Sequence, residues 1–468
     1  MKMTVGEIVE ATSGKLVVGS TMHHTVHGAT DVVTGISTDS RTIIPGDLFV
    51  ALHGKNHDGH DHLKEVARKG VAVVVVDQDI PDAVKNQIRV RDTLKALGDI
   101  AHAWRKRFLI PVIAVTGSNG KTTTKDLIAA VLGCGGRRYC VLKTEGNFNN
   151  LIGLPQTLFR LNHKIEVAVL EMGMNQSGEI ARLAQIAAPI AGVITNVARA
   201  HLEGLSTLDH VANAKGELLE GLPRHGQAIL NADDISFEKL KSKARCPIVS
   251  FGSHPDADIR LLAIHSQGLD KTSFEVSLND KRVIFTMSAL GRHNVFNALA
   301  AIAVGSYLKV PVSEMKKALA DFKPVSRRME IVSLPGQIDI INDCYNANPD
   351  SVIASLEFLK ETGGERRRVA ILGEMLELGG YALKGHREVG SQAARAGVDL
   401  LFAIGKHARD MTRSARSHGV CEVFAFKSVE ESLSLILSQI QPGDLVLIKG
   451  SRGMKMERIT EEIKKHAA

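Results

Sequence analysis

The segment Gly117-Ser118-Asn119-Gly120-Lys121-Thr122-Thr123-Thr124 brings together three residue types that phosphate chemistry needs in close succession. Glycines let backbone N–H groups curl round an anion, a lysine meets the charge of the β- and γ-phosphates, and a hydroxyl can hold Mg²⁺. The first glycine lies three residues before Gly120, whereas the common GxxxxGK[ST] spacing places it five before. A turn with a surface lysine is the plain alternative. The apolar run at 110–115 and the stripe of Leu127, Ile128, Val131 and Leu132 argue instead for strand, loop and helix. Glu171 follows the apolar residues Val167-Ala168-Val169-Leu170, and a carboxylate at such a strand end is placed to ligate Mg²⁺. His201 follows another apolar run, in Thr195-Asn196-Val197-Ala198-Arg199-Ala200-His201, and Lys215 lies on a helical stretch. Taken singly, this histidine and this lysine read equally well as structural or surface residues.

Residues so far apart can share a site only if a sheet delivers them to one edge. Apolar runs at 110–115, 167–170 and 192–195, separated by helices, predict a parallel sheet covered on both faces. The alternation at 258–287 predicts an antiparallel appendage, and helices at 294–308 and 312–322 close this central domain, residues 109–323. Before it, residues 1–108 read as a small α/β domain with apolar runs at 16–18, 48–52 and 71–76 and a helix at 94–108. After it, residues 324–468 read as a Rossmann-like α/β domain with strands at 337–341, 368–372, 400–404, 423–426 and 445–448. No GxGxxG follows its first strand. The expected fold is α/β in three domains, with a P-loop sheet at the centre.

At 468 residues the chain exceeds what one hydrophobic core supports. Its net charge of +7 is not gathered into a stripe, and 4% aromatic content is thin for base stacking, which argues against a nucleic-acid binder. Five scattered cysteines form no CxxC and no zinc-spaced cluster, arguing for reduced thiols and against disulfides or zinc. The first residues lack the apolar core of a signal peptide, and no apolar run approaches the roughly 20 residues of a membrane span. A cytoplasmic protein without membrane insertion is expected.

Together the loop, Glu171, His201 and Lys215 resemble the Mur ligase family, the cytoplasmic enzymes that build the peptide stem of bacterial peptidoglycan. The shortened loop is similar to that family's own phosphate loop. The resemblance implies Glu171, His201 and Lys215 as Mg²⁺-site residues, with Lys215 carbamylated and so turned into an anion. It extends along the chain. Asp39-Ser40-Arg41 with 48–54 resembles the segment that holds the UDP end of the substrate, and Asn294 and Asn297 match asparagines that meet adenine. Arg328 matches a linker arginine that approaches the phosphates, and Arg327 stands where the family usually has glycine.

Three features resemble the branch of the family whose incoming amine is D-alanyl-D-alanine. They are 144–155, with Asn147, Asn149 and Asn150; 343–351, with Asp343, Tyr345, Asn346, Asn348 and Ser351; and 372–379 with His386. The branch that takes a free amino acid carries Asp-Asn-Pro-Arg, whereas no arginine follows Pro349 here. The resemblance implies ATP and two Mg²⁺ ions as cofactors, with UDP-N-acetylmuramoyl-tripeptide and D-alanyl-D-alanine as substrates of a monomer. Asp343 joins the phosphate loop among the ATP contacts, and the asparagines with Tyr345 and Ser351 serve the substrates. Competing expectations are a relative that adds diaminopimelate or lysine, a folylpolyglutamate synthase, a P-loop kinase or ATPase, and a nucleotide-binding scaffold without turnover.

Overall fold

The computed structural model describes residues 1–18, 30–54, 56–78, 86–133, 139–199 and 207–467. By compactness the chain divides into two units. The first comprises Met1–Ala114, Tyr139–Met174 and Gly178–Ile190, and the second Val115–Arg138, Asn175–Ser177 and Ala191–Ala468.

In the first unit, Ile36–Ser37, Leu48–Val50, Val73–Val76 and Asn86–Arg89 run parallel in that spatial order. Lys15–Val18 closes the edge antiparallel to Asn86–Arg89. Val73 to Val76 are all buried, as an inner strand of a parallel sheet requires. Helix Thr93–Arg105 starts at Asp92, whose carboxylate accepts from the Lys95 N–H at 2.8 Å. Its Asp99 is held at 2.7 Å by Arg182 of helix Glu179–Ala187, and Arg105 caps the carbonyls of Phe108, Ile110 and Ala187. Strand Val167–Glu171 lies parallel to Val141–Lys143, with Val167 opposite Val141.

The second unit has two sheets. In the first, Ala191–Ile194, Gln227–Asn231, Ile248–Gly252 and Ile259–Gln267 run parallel, and Thr272–Leu278 and Lys281–Met287 complete an antiparallel meander. The appendage expected at 258–287 is therefore present. Its turn residues Asn279 and Asp280 have φ of +50° and +60°, the left-handed pair that a two-residue hairpin demands. Helix Arg292–Tyr307 is buried along most of its length.

The other sheet orders Glu330–Leu334, Ile338–Asn342, Leu445–Lys449, Arg368–Gly373, Leu400–Ile404 and Glu422–Phe426. The last five are the strands expected from the sequence. Glu330–Leu334 is an extra antiparallel edge strand; it is mostly half-buried and carries no strong apolar run, so pattern alone does not reveal it. Side chains alternate across the sheet: Ile341, Leu372, Leu401 and Leu447 face one core, and Ile340, Ile371, Phe402 and Ile448 the other. The final strand inserts beside the first parallel one, with Ile448 opposite Asn342. That insertion sets Lys449 next to Asp343. Among the described residues, no helix is long and apolar enough to cross a membrane.

Candidate active site

Strand Val112–Thr116 ends at the phosphate loop, and helix Lys121–Gly133 begins on its lysine. A Cβ on Gly117, at φ +150°, would stand 1.8 Å from Thr195 Oγ1; one on Gly120, at φ +80°, would stand 2.3 Å from Asn297 Oδ1. Space and backbone both demand glycine at these two positions. Neighbouring strand-end residues hold the loop open. The Ser118 N–H donates to the Asn196 carbonyl at 2.9 Å, and the Asn119 N–H donates to Asn196 Oδ1 at 2.9 Å. Thr195 Oγ1 donates to the Asn119 carbonyl at 2.6 Å, and the Ser118 hydroxyl donates to the Ala198 carbonyl at 3.0 Å. The Lys121 ammonium bends back to the carbonyls of Gly117 at 2.8 Å and Ser118 at 3.3 Å, which keeps its charge over the loop. Thr122 is nearly buried and Thr123 half-buried in the first helical turn, where the helix dipole favours an anion.

Asn294 and Asn297 lie buried beneath this loop. Asn297 Oδ1 accepts from Thr124 Oγ1 at 3.1 Å, its amide donates to Asn294 Oδ1 at 2.8 Å, and Asn294 donates to the Leu290 carbonyl at 2.7 Å. In this arrangement both amides brace the loop from below.

Lys215 is on helix Leu208–Glu220, in an apolar stripe with Val211, Leu218 and Leu219, and is 1% exposed. Burial holds its amine well below the ordinary lysine value; the Lys121 charge pushes the same way and Asp234 opposes. Asp234 is itself raised by burial, against hydrogen bonds from the Val197 and Ser236 N–H groups at 2.6 and 2.8 Å. A neutral amine can attack an electrophile such as CO₂, which an ammonium cannot. His201 lies outside the described residues.

The loop after Ile338–Asn342 supplies the second polar surface of this unit. Asp343 accepts from Lys449 Nζ at 2.5 Å, from the Ser355 hydroxyl at 2.8 Å and from the Met329 N–H at 3.2 Å. Arg328 Nη2 donates to Thr122 Oγ1 at 3.0 Å, and its guanidinium lies 3.9 Å over the Tyr345 ring. Arg327 turns away to Glu457 and has φ +64°, a backbone that suits the glycine usual there. Asn348 and Ser351 form a capping box that starts helix Pro349–Gly363, and the Asn348 amide also donates to Asn119 Oδ1 at 2.7 Å. Asn346 is exposed. His386 is buried and neutral, its Nε2 accepting from the Met375 N–H at 3.0 Å and its Nδ1 on the Ala382 carbonyl at 2.7 Å.

In the first unit, Glu171 is 3% exposed; Asn149 donates to its Oε1 at 2.8 Å, and its N–H donates to Thr144 Oγ1. Asn150 caps helix Gly153–Leu158 by accepting from the Ile152 and Gly153 N–H groups, and Asn147 is exposed. Asp39 and Arg41 form a forked ion pair at 2.9 and 2.7 Å that pulls the Asp39 carboxyl down to about 2, and Ser40 is buried between them.

Sequence reasoning passed over three contributors: Thr195 and Asn196, which clamp the loop, and Asp234 beside Lys215. Asp234 stands just past strand Gln227–Asn231, the signal that had marked Glu171. It also passed over Arg199, which binds Asp350 at 2.9 Å and Glu388 at 3.1 Å.

Three family descriptions match the chain: "Mur ligase family, catalytic domain" over residues 32–105, "Mur ligase middle domain" over 115–305, and "Mur ligase, glutamate ligase domain" over 327–452. The UDP-N-acetylmuramoyl-tripeptide--D-alanyl-D-alanine ligase of Bacillus subtilis is 36% identical, with 99% of this chain and 98% of that protein covered. Its namesake from Escherichia coli is 34% identical, with 100% and 99% covered. Among solved structures, MurF from Acinetobacter baumannii superposes with a TM-score of 0.90 at 29% identity, covering 99% of both chains. MurF ligase from Thermotoga maritima in complex with ADP superposes at 0.82 and 26% identity, covering 93% of this chain and 98% of that one. Matches along nearly the whole chain, to family descriptions and to relatives above 30% identity, agree: the chain belongs to the Mur ligase family.

Proposed function

We propose that the chain is an ATP-dependent ligase that joins D-alanyl-D-alanine to UDP-N-acetylmuramoyl-tripeptide through an acyl phosphate. The observation that carries this reading is the match to ligases named for that reaction over essentially their whole length and this chain's. Residues 1–108 hold the UDP end near Asp39, Ser40 and Arg41, residues 109–323 hold ATP, and residues 324–468 present the amine. We assign Asn147, Asn149, Asn150, Tyr345, Asn346, Asn348 and Ser351 to binding of the substrates. Gly117 to Thr123, Asn294, Asn297, Arg328 and Asp343 serve ATP.

A carboxylate and an amine do not condense directly at neutral pH, because oxide is too poor a leaving group. The tripeptide carboxylate oxygen attacks the γ-phosphorus of ATP, the bond to the β-phosphate oxygen breaks, and ADP leaves. The amine then attacks the acyl carbon, a C–N bond forms, phosphate departs and the amine sheds a proton. Lys121 and the first turn of its helix lower the cost of charge on the transferring phosphoryl group. Arg328, already on Thr122, adds a second cation to that loop.

The donor set suits a hard divalent cation: a hydroxyl at Thr122, a buried carboxylate at Glu171 and, once Lys215 has added CO₂, a carbamate. Thr122 and Glu171 would hold one Mg²⁺, and His201 with carbamylated Lys215 the other, neutralising phosphate charge during transfer. Lys215 becomes that carbamate when its neutral nitrogen bonds CO₂ and releases a proton. We place the enzyme in the cytoplasm as a monomer.

Mass spectrometry of the product from ATP, UDP-tripeptide and candidate amines tests the reading. It expects phosphate release and an amide only with D-alanyl-D-alanine. Product with free diaminopimelate or lysine would move the chain to another branch, and ADP without amide would make it a kinase or ATPase.

A further inference from the structure

The first unit also gathers two histidines and two aspartates, with His53 inside the 48–54 segment and the other three outside it. Asp58 reaches both imidazoles on the same ring atom, with Oδ1 2.6 Å from His60 Nδ1 and Oδ2 3.0 Å from His53 Nδ1. A carboxylate only accepts, so His60 Nδ1 carries a proton and its Nε2 is left to face Asp77. His53 instead has a carboxylate at each ring nitrogen and is drawn toward its protonated form chiefly by Asp77; a metal ion would displace that proton. His53 Nε2 lies 3.1 and 3.0 Å from the two Asp77 oxygens, and His60 Nε2 lies 3.3 Å from Oδ1. The two rings stack with centroids 4.8 Å apart. The His60 side chain is 3% exposed, and its Nε2, though close to Asp77, makes no hydrogen bond.

A buried imidazole nitrogen turned toward a carboxylate without a hydrogen bond is a poor arrangement unless a cation lies between them. Two ligand atoms at 2.0–2.1 Å from a tetrahedral zinc are about 3.3 Å apart, close to the spacings seen here. One ligand atom from each of His53, His60 and Asp77 lies within 4.8 Å of the others. A second carboxylate on the far ring nitrogens is the device that fixes tautomer and orientation in histidine–metal sites. Two carboxylates face the two rings, and a divalent ion would take the place of the proton that Asp77 draws onto His53. Imidazole nitrogen favours zinc, cobalt or nickel over Mg²⁺.

We propose that His53, His60 and Asp77 form a site for a divalent transition-metal ion of the zinc class, oriented by Asp58. The half-exposed His53 side leaves the fourth position to water. The ion would tie the His53–Asp58 bridge to the end of strand Val73–Val76, one residue before Asp77. It is separate from the Mg²⁺ that serves the nucleotide and differs from it in donor chemistry.

The test uses the full chain without an affinity tag, stripped with chelator and titrated with Zn²⁺ by calorimetry in excess Mg²⁺. One Zn²⁺ per chain is expected. His53→Ala and Asp77→Asn should each weaken binding at least about tenfold, Asp58→Asn by about 10–100-fold, and the exposed His57→Ala should bind as the parent does. Co²⁺ should give the visible absorption of a tetrahedral site in the parent and not in His53→Ala. Equal Zn²⁺ affinity in the parent and His53→Ala overturns the proposal, as does no binding at all, which would mean that two protons hold the cluster. His53 is half exposed, so its substitution keeps the test valid should Asp77→Asn fail to fold.

Discussion

Lys215 and Lys449 are both almost wholly buried, at 1% and 3% exposure, yet they do opposite things. Lys449 ends a strand whose parallel neighbour runs into Asp343, and the two charges meet at 2.5 Å. Ser355 and the Met329 N–H also donate to the carboxylate, so the Lys449 charge is paired. Lys215 sits mid-helix, where burial outweighs the pull of Asp234 and Lys121 adds repulsion. It therefore favours the neutral amine. Equal burial leaves a paired ammonium in one place and an amine whose charge is disfavoured in the other, and the carboxylate within reach makes the difference.

Lys121 is the lysine proposed to act as a cation, and its loss carries the largest expected effect. Lys121→Ala should lower the ligation rate about a thousandfold while moving stability by less than about 0.5 kcal/mol. Near-normal ligation would remove it from the reaction. The comparison itself rests on two matched substitutions. Lys449→Met leaves Asp343 buried and unpaired and should cost about 3–5 kcal/mol in denaturant unfolding. Lys215→Met replaces a neutral buried group with an apolar one of similar length; it should hold or raise stability and abolish turnover. Equal loss of stability in both variants breaks the distinction.

A third measurement probes what surrounds the pair. Burial pushes the His293 imidazole down to about 4, with Lys449 pushing the same way and Asp343 opposing. The unfolded chain takes up that proton near 6.5, so stability falls as pH drops from 6.5 toward 4, by up to about 3 kcal/mol. His293→Gln should flatten that slope; an unchanged acid limb would place the imidazole outside the pair's field. Smallest is Arg327→Gly, which relieves φ +64° at the cost of an exposed bond to Glu457. A gain of up to about 1 kcal/mol is expected, and a loss would mean that the Glu457 bond outweighs the strain.

The phosphate loop was legible because Gly117, Gly120, Lys121 and Thr122 fall within six consecutive residues and their spacing is itself the chemistry. Lys215 was legible only through family resemblance, although its place in a stripe with Val211, Leu218 and Leu219 is a burial signal in its own right. The five parallel strands of the last sheet could be read as apolar runs. Their order could not, because nothing local says that the final strand inserts beside the first. The Asp343–Lys449 joint depends on that order and spans 106 residues. The His53, His60 and Asp77 cluster escaped because the histidines and cysteines show no zinc spacing along the chain, whereas the His53–Asp58 bridge and a strand end bring these side chains together.

Asn348 has a consequence for the lifetime of the native loop. Its oxygen closes a helix cap on Ser351 only three residues away, and its amide meets Asn119 across 229 residues of chain. Local closure costs little chain entropy and can come early in folding; the distant amide contact must wait until two sheets have formed. A contact made after the barrier does not speed folding. It slows escape. The phosphate loop is thus expected to owe part of its persistence to a late-formed contact, seated on a helix that can form without it.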